Sequence, residues 1–133
     1  MSELLFPETE TLSLETIAAK LSAFYEQAHL LHWQTKSYAE HKALGDFYTK
    51  LIDFKDEIVE KLMGYQNRRI RAFKVGQLLD HSMGASAKLV ELVDKFAKQL
   101  ENWASKNNYC DIENIAQSLS GEAQKTKYLL SLS

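Results

Sequence analysis

His41, Asp56 and Glu60 recur at helical spacing. The series His41, Gly45, Tyr48, Ile52, Asp56, Val59 and Met63 steps by 4, 3, 4, 4, 3 and 4 residues. Glu60 follows Asp56 by four, which on a helix puts the two carboxylates one turn apart. Imidazole and carboxylate together form a nitrogen–oxygen ligand set. Such a set suits iron(II), zinc or manganese rather than a thiolate-loving metal. His41 and Asp56 lie ~60° apart around a helix but ~22 Å apart along its axis. Within one chain they cannot hold the same ion. An antiparallel two-fold pairing of this helix, with the dyad between residues 48 and 49, sets His41 of one copy opposite Asp56 of the other. Tyr48 and Ile52 then form the apolar centre of an isologous contact, and symmetry gives two equivalent sites. His32 lies on a preceding helix, and the short turn after it brings it near His41. The candidate metal-binding residues are therefore His32, His41, Asp56 and Glu60. Each has a plainer alternative. A histidine at a helix end is commonly a solvated cap, and Asp56 and Glu60 can form a solvated or salt-bridged face with Lys55 and Lys61 nearby. His29 and His81 are given no role.

Four helical segments must position these groups. Residues 13–36 carry Leu14, Ile17, Leu21, Phe24, Ala28 and Leu31 at helical spacing, with Ser13 as N-cap. Residues 40–66 carry a core stripe of Leu44, Phe47, Leu51, Phe54, Ile58 and Leu62. The other two segments are 85–105 and 111–130, the last with Asp111 as N-cap and interrupted by Gly121. The expectation is an all-α four-helix bundle over 13–133, preceded by a short N-terminal extension, 1–12. Short connections make antiparallel neighbours. The longer stretch between the second and third helices can reach ~50 Å when extended. It can therefore run back along the whole bundle as a crossover, although a plain up-down-up-down order is also open. Leu78 and Leu79 within it are candidates for a short covering helix.

Composition narrows the function classes. A formal net charge of −2 and an acidic first segment (Glu3, Glu8, Glu10) argue against a dedicated polyanion binder. DNA binding is expected to be weak or absent. The cationic cluster Arg68, Arg69, Arg71 and Lys74 is read as a solvated loop. One cysteine, Cys110, excludes an internal disulfide and suits a reducing compartment. No apolar run reaches the ~18 residues of a membrane span. A cytoplasmic protein that associates with itself is the expectation. A second apolar stripe on one helix exceeds what a monomeric bundle requires.

His32-Trp33-Gln34, then His41, then Asp56-x-x-x-Glu60 resemble the ferroxidase signature of Dps-type mini-ferritins. That family's pattern is His-Trp-Asn, a second His, then Asp and Glu four apart on the next helix. The resemblance extends over roughly 14–132, including Tyr128-Leu129-Leu130 near the end. It implies a ferritin-like four-helix bundle with a long crossover between the second and third helices, assembled as a hollow dodecamer with an iron site at each dimer interface. It implies oxidation of iron(II), with peroxide as preferred oxidant, and storage of ferric iron inside. His32 and His41 would come from one subunit, and Asp56 and Glu60 from its mate, with Glu60 as the bridging or anchoring carboxylate. Trp33 would lie beside the site as an electron donor. The family usually has an acidic ligand one turn after the second histidine. Here that position is Gly45, and Asp46 points ~100° away around the helix. A ferritin-like assembly or binding protein with a degraded ferroxidase site is therefore the alternative, with a weak DNA-protecting protein behind it.

Overall fold

The computed structural model describes residues 11–133, so most of the expected 1–12 extension lies outside the described residues. Helix α1 is Leu14–Gln34. It begins in a capping box: Ser13 Oγ accepts the Thr16 N–H at 3.2 Å, and Thr16 Oγ1 accepts the Ser13 N–H at 2.7 Å. Helix α2, Tyr38–Gln66, is capped by Ser37, whose Oγ accepts the Glu40 N–H. Asn67 ends it in the left-handed region (φ 51°), and the Arg68 N–H reaches back to the Met63 carbonyl at 3.2 Å. Helices α3, Ala85–Lys106, and α4, Cys110–Leu130, complete the bundle. Leu44, Phe47, Leu51, Ile58 and Leu62 of α2 are buried as expected, and Phe54 is partly buried at the margin of the core.

Two local expectations are corrected. Asp111 is not the N-cap of α4, which starts one residue earlier after Tyr109. The capping role passes to another helix, because the Tyr65 hydroxyl of α2 accepts the Asp111 N–H at 3.2 Å. Leu78 and Leu79 form no helix. Residues 69–82 have no regular structure, and side chains of α1 hold their backbone at Arg71, Leu79 and His81. The buried Gln27 amide accepts the Leu79 N–H at 2.9 Å and donates to the Leu79 carbonyl at 2.8 Å. A backbone pair held this way is unavailable for helical bonding.

The same contacts set the topology. At the start of the link, Arg68 donates twice to Glu15 at 2.7 and 2.9 Å, and the Arg71 N–H donates to Glu15 at 2.9 Å. At its end, Gln34 accepts the His81 N–H at 2.7 Å and donates to Asp80 at 2.9 Å. The link thus runs parallel to α1 from its first turn to its last, and α3 starts beside the start of α2. The order is up-down-down-up with one crossover, the connectivity of ferritin-like bundles. At the opposite end the rings of Tyr65 and Tyr109 lie 4.6 Å apart, joining the end of α2 to the start of α4. Helices α1 and α3 touch least among the adjacent pairs.

Two stability measurements test these contacts. The Arg68 guanidinium, helped by the Arg71 N–H, holds the Glu15 carboxyl at about 2, below its ordinary 4.5. Such a carboxylate stabilises the fold above its unfolded value, and the contribution is lost as pH falls through the folded value. Glu15→Gln should lower the urea midpoint at pH 7. The gap to the parent should shrink to less than half its pH 7 size by about pH 3. A gap constant with pH would refute the clamp. Gly121, inside α4, is exposed, and a methyl there meets no atom within 4 Å. Gly121→Ala should therefore stabilise the protein by about 0.5–1 kcal/mol, read from the same titration.

Candidate metal centre

The α1–α2 turn is only three residues long and is tied by its own hydroxyls. Thr35 Oγ1 donates to Glu40 at 2.5 Å and accepts the Ser37 N–H at 3.2 Å. Glu40 also receives the Ser86 hydroxyl of α3 and the His81 ring at 3.1 Å. Burial pulls the Glu40 carboxyl upward, but the hydrogen bonds from Ser86, Thr35 and His81 outweigh it and hold it below the usual carboxylate range. One carboxylate thereby fastens the turn, the end of the link and the start of α3.

This turn brings His32 and His41 together, as expected. Their rings stack at 3.7 Å with an 18° interplanar angle. Each ring bonds to the other residue's backbone: His32 Nδ1 to the His41 carbonyl at 2.6 Å, and His41 Nδ1 to the His32 carbonyl at 2.8 Å. A carbonyl can only accept, so both Nδ1 atoms carry hydrogen. In the neutral rings both Nε2 atoms then keep their lone pairs, the state a metal ligand requires. Neither Nε2 has a hydrogen-bond partner among the described residues. Gly45 lies directly beneath this pair. A Cβ there would stand 3.1 Å from His32 Cε1 and 3.3 Å from its Nδ1. Glycine at this position thus makes room for the first histidine.

Asp56 and Glu60 are exposed on the outer side of α2 and do not approach the histidines within the chain. Among the described residues no group of three or more His, Cys, Asp or Glu side chains gathers around one point. The neighbouring lysines point elsewhere. Lys61 binds Asp111 at 2.5 Å and Glu57 at 2.9 Å, and these contacts, Asp111 first, raise its pKa. Lys55 reaches Ser22 at 3.4 Å and lies 5.5 Å from the centre of the Tyr25 ring. Asp56 and Glu60 therefore form no ion pair among the described residues. On the same outer face Ile52 is exposed, while Tyr48, Val59 and Met63 are partly buried.

His29 was given no role by sequence, yet it sits beside this pair. Its ring lies between Trp33 at 3.8 Å and Tyr48 at 4.2 Å, and 6.1 Å from His32. The signal was available, since Tyr25, His29 and His32 or Trp33 share one helical face at steps of four and three or four. Glu40 left no such signal, because its partners come from three separate segments.

The fit of His32 over Gly45 has a measurable consequence. The ring is held on one face by His41 and at Nδ1 by a carbonyl, so it cannot yield freely to a new methyl. Gly45→Ala should lower the Nδ1–H tautomer population of His32 seen in nitrogen-15 imidazole spectra. It should also lack the stability gain expected when alanine replaces a helical glycine, about 1 kcal/mol. An unchanged tautomer together with a full gain would refute the contact.

A stretch of 104 residues is 29% identical to an uncharacterized 14.6 kDa protein in the mobD-ri intergenic region of Enterobacteria phage T4. It covers 78% of this chain and 77% of that one. No solved structure matches. Residues 32–130, from the first stacked histidine to the end of α4, match a family of unknown function, DUF5856, and the chain belongs to that family.

Proposed function

We propose that this chain is a self-assembling, ferritin-like metal-binding protein that takes iron(II) as substrate, in the manner of Dps-type mini-ferritins. The observation that carries the reading is the stacked His32–His41 pair. Its reciprocal bonds to backbone carbonyls fix both rings in the tautomer that offers Nε2 to a cation. Support comes from the other half of the ligand set, because Asp56 and Glu60 are exposed and free of the lysines beside them. The partly exposed stripe through Tyr48 and Ile52 supplies a surface for the antiparallel pairing that would join the two halves. His32 and His41 of one copy and Asp56 and Glu60 of another would hold the ion. In the overall reaction two iron(II) ions each give one electron to one peroxide, which takes up two protons and leaves as two waters. Ferric iron is then stored within the assembly, for which a dodecamer is the proposed form. The His32–Gly45 contact favours one well-held ion per site, since an acidic side chain at position 45 would crowd the ring that binds the first. DNA binding has no part in this reading.

Mixed assemblies test the shared site. His41→Ala and Asp56→Ala should each abolish high-affinity iron(II) binding. Refolded together in equal amounts, they should recover about a quarter of the parent's sites, because half the pairs are mixed and each mixed pair keeps one intact site. No recovery in mixed pairs shown to form would rule out ligands meeting across a dyad. In a parallel arm, Ile52→Asp should dissociate the assembly in sedimentation by burying a charge at its centre. Undisturbed assembly would place the contact elsewhere.

A further inference from the structure

Asp56 and Glu60 are not the only open charges on the outer side of α2. Lys42, near its start, and Asp53, past its middle, are both exposed, and neither makes a hydrogen bond or ion pair among the described residues. Glu40, Lys55, Glu57 and Lys61 differ, since each is engaged within the chain. Lys42 and Asp53 lie ~20° apart around the helix, on the same edge of the stripe through Tyr48 and Ile52, but ~17 Å apart along its axis. They cannot pair within one chain. Asp46 and Lys50, of opposite sign at a helical step of four, lie further round from the stripe. Beside the stripe, the open charge is therefore divided. The cation stands before its centre, and Asp53, Asp56 and Glu60 stand after it. Such an edge matches a second copy of itself only when the two helices run antiparallel.

We infer that Lys42 of one copy pairs with Asp53 of a second copy, so that charge sets the direction and register of association before any ion binds. The inference rests on the antiparallel pairing proposed above. With the dyad between residues 48 and 49, Lys42 of one helix and Asp53 of the other are offset by ~3 Å along the axis, within the reach of a lysine side chain. The two-fold makes two such pairs, one on each side of the Tyr48 and Ile52 centre. A parallel pairing in register would instead set Lys42 against Lys42 and Asp53 against Asp53, which like-charge repulsion disfavours.

A charge exchange on the full-length protein tests the inference, read by sedimentation over a concentration series in the presence of a chelator. Lys42→Glu and Asp53→Lys should each weaken self-association at least about tenfold, because each sets like charges together in both pairs. The two substitutions made in one chain should restore association to within about threefold of the parent, since opposite signs meet again in exchanged places. Mixed together, the two single variants should associate with each other more tightly than either does with itself. Single variants that associate as the parent does would overturn the inference. So would a double variant as weak as the singles, or a parent that stays monomeric in chelator. None of these readouts involves a metal. A parent that associates and shows the charge exchange but takes up no iron(II) would therefore remove the iron site alone, and an iron-binding parent without the charge exchange would remove the Lys42–Asp53 pairs alone.

Discussion

An extended chain laid along a helix has no regular partner for its amides, so its course depends on what side chains supply. Here α1 supplies them at three heights: Glu15 at the start of the link, Gln27 in the middle and Gln34 at the end. Gln27 is the strictest of these, because a buried amide left unpaired costs about 1–3 kcal/mol. Its two bonds to Leu79 satisfy both partners at once. This fastening returns the chain to the end of the bundle where α1 stops and α2 begins. There α3 can start against Glu40. The up-down-down-up order and the rigidity of the α1–α2 turn thus share one cause.

The turn is where the ionisable side chains His32, Glu40, His41 and His81 gather. Three residues join two long helices, and Glu40 binds that junction to the link and to α3. A tight junction forces the last turn of α1 against the first turns of α2. Each histidine then finds the other's carbonyl within reach. A longer loop would leave room for solvent between the rings. Gly45 belongs to the same geometry, since a Cβ there, one turn after His41, would crowd the His32 ring at 3.1 Å.

Much of this was legible in the sequence. The stripes of Leu44 to Leu62 and Leu14 to Leu31 gave the helices, because burial on a 3.6-residue period leaves a pattern that needs no tertiary knowledge. The proximity of His32 and His41 followed from the short turn. What stayed hidden depends on long-range polar partners. Gln27 reads as an ordinary helical glutamine, yet it partners a residue 52 positions away. Asp111 looked like a cap by local rule, but Tyr65 took that role from across the bundle. Gly45 looked like a missing ligand, and its spatial reason appears only when the ring above it is placed.

The proposed division of the ligands has an energetic corollary. His41 and Asp56 sit ~22 Å apart on a rigid helix, so no bending of one chain can close the site. The ion then contributes its binding free energy only to the associated form, and association is strengthened by the ion through the same coupling. A chain of this kind need not build a contact tight enough to hold by burial alone. Ile52 and the partly buried Tyr48, Val59 and Met63 offer a modest apolar stripe, smaller than a helix buried on both sides would show. On the proposed reading, Asp56 and Glu60, one turn apart on the same helix, repel each other until a cation enters. That repulsion is why leaving Lys55 and Lys61 turned toward Ser22, Glu57 and Asp111 matters: neutralising the carboxylates in advance would remove the pull on the ion. On the proposed reading, the direction of two lysines helps decide whether the outer face of α2 is a passive contact or one completed by metal.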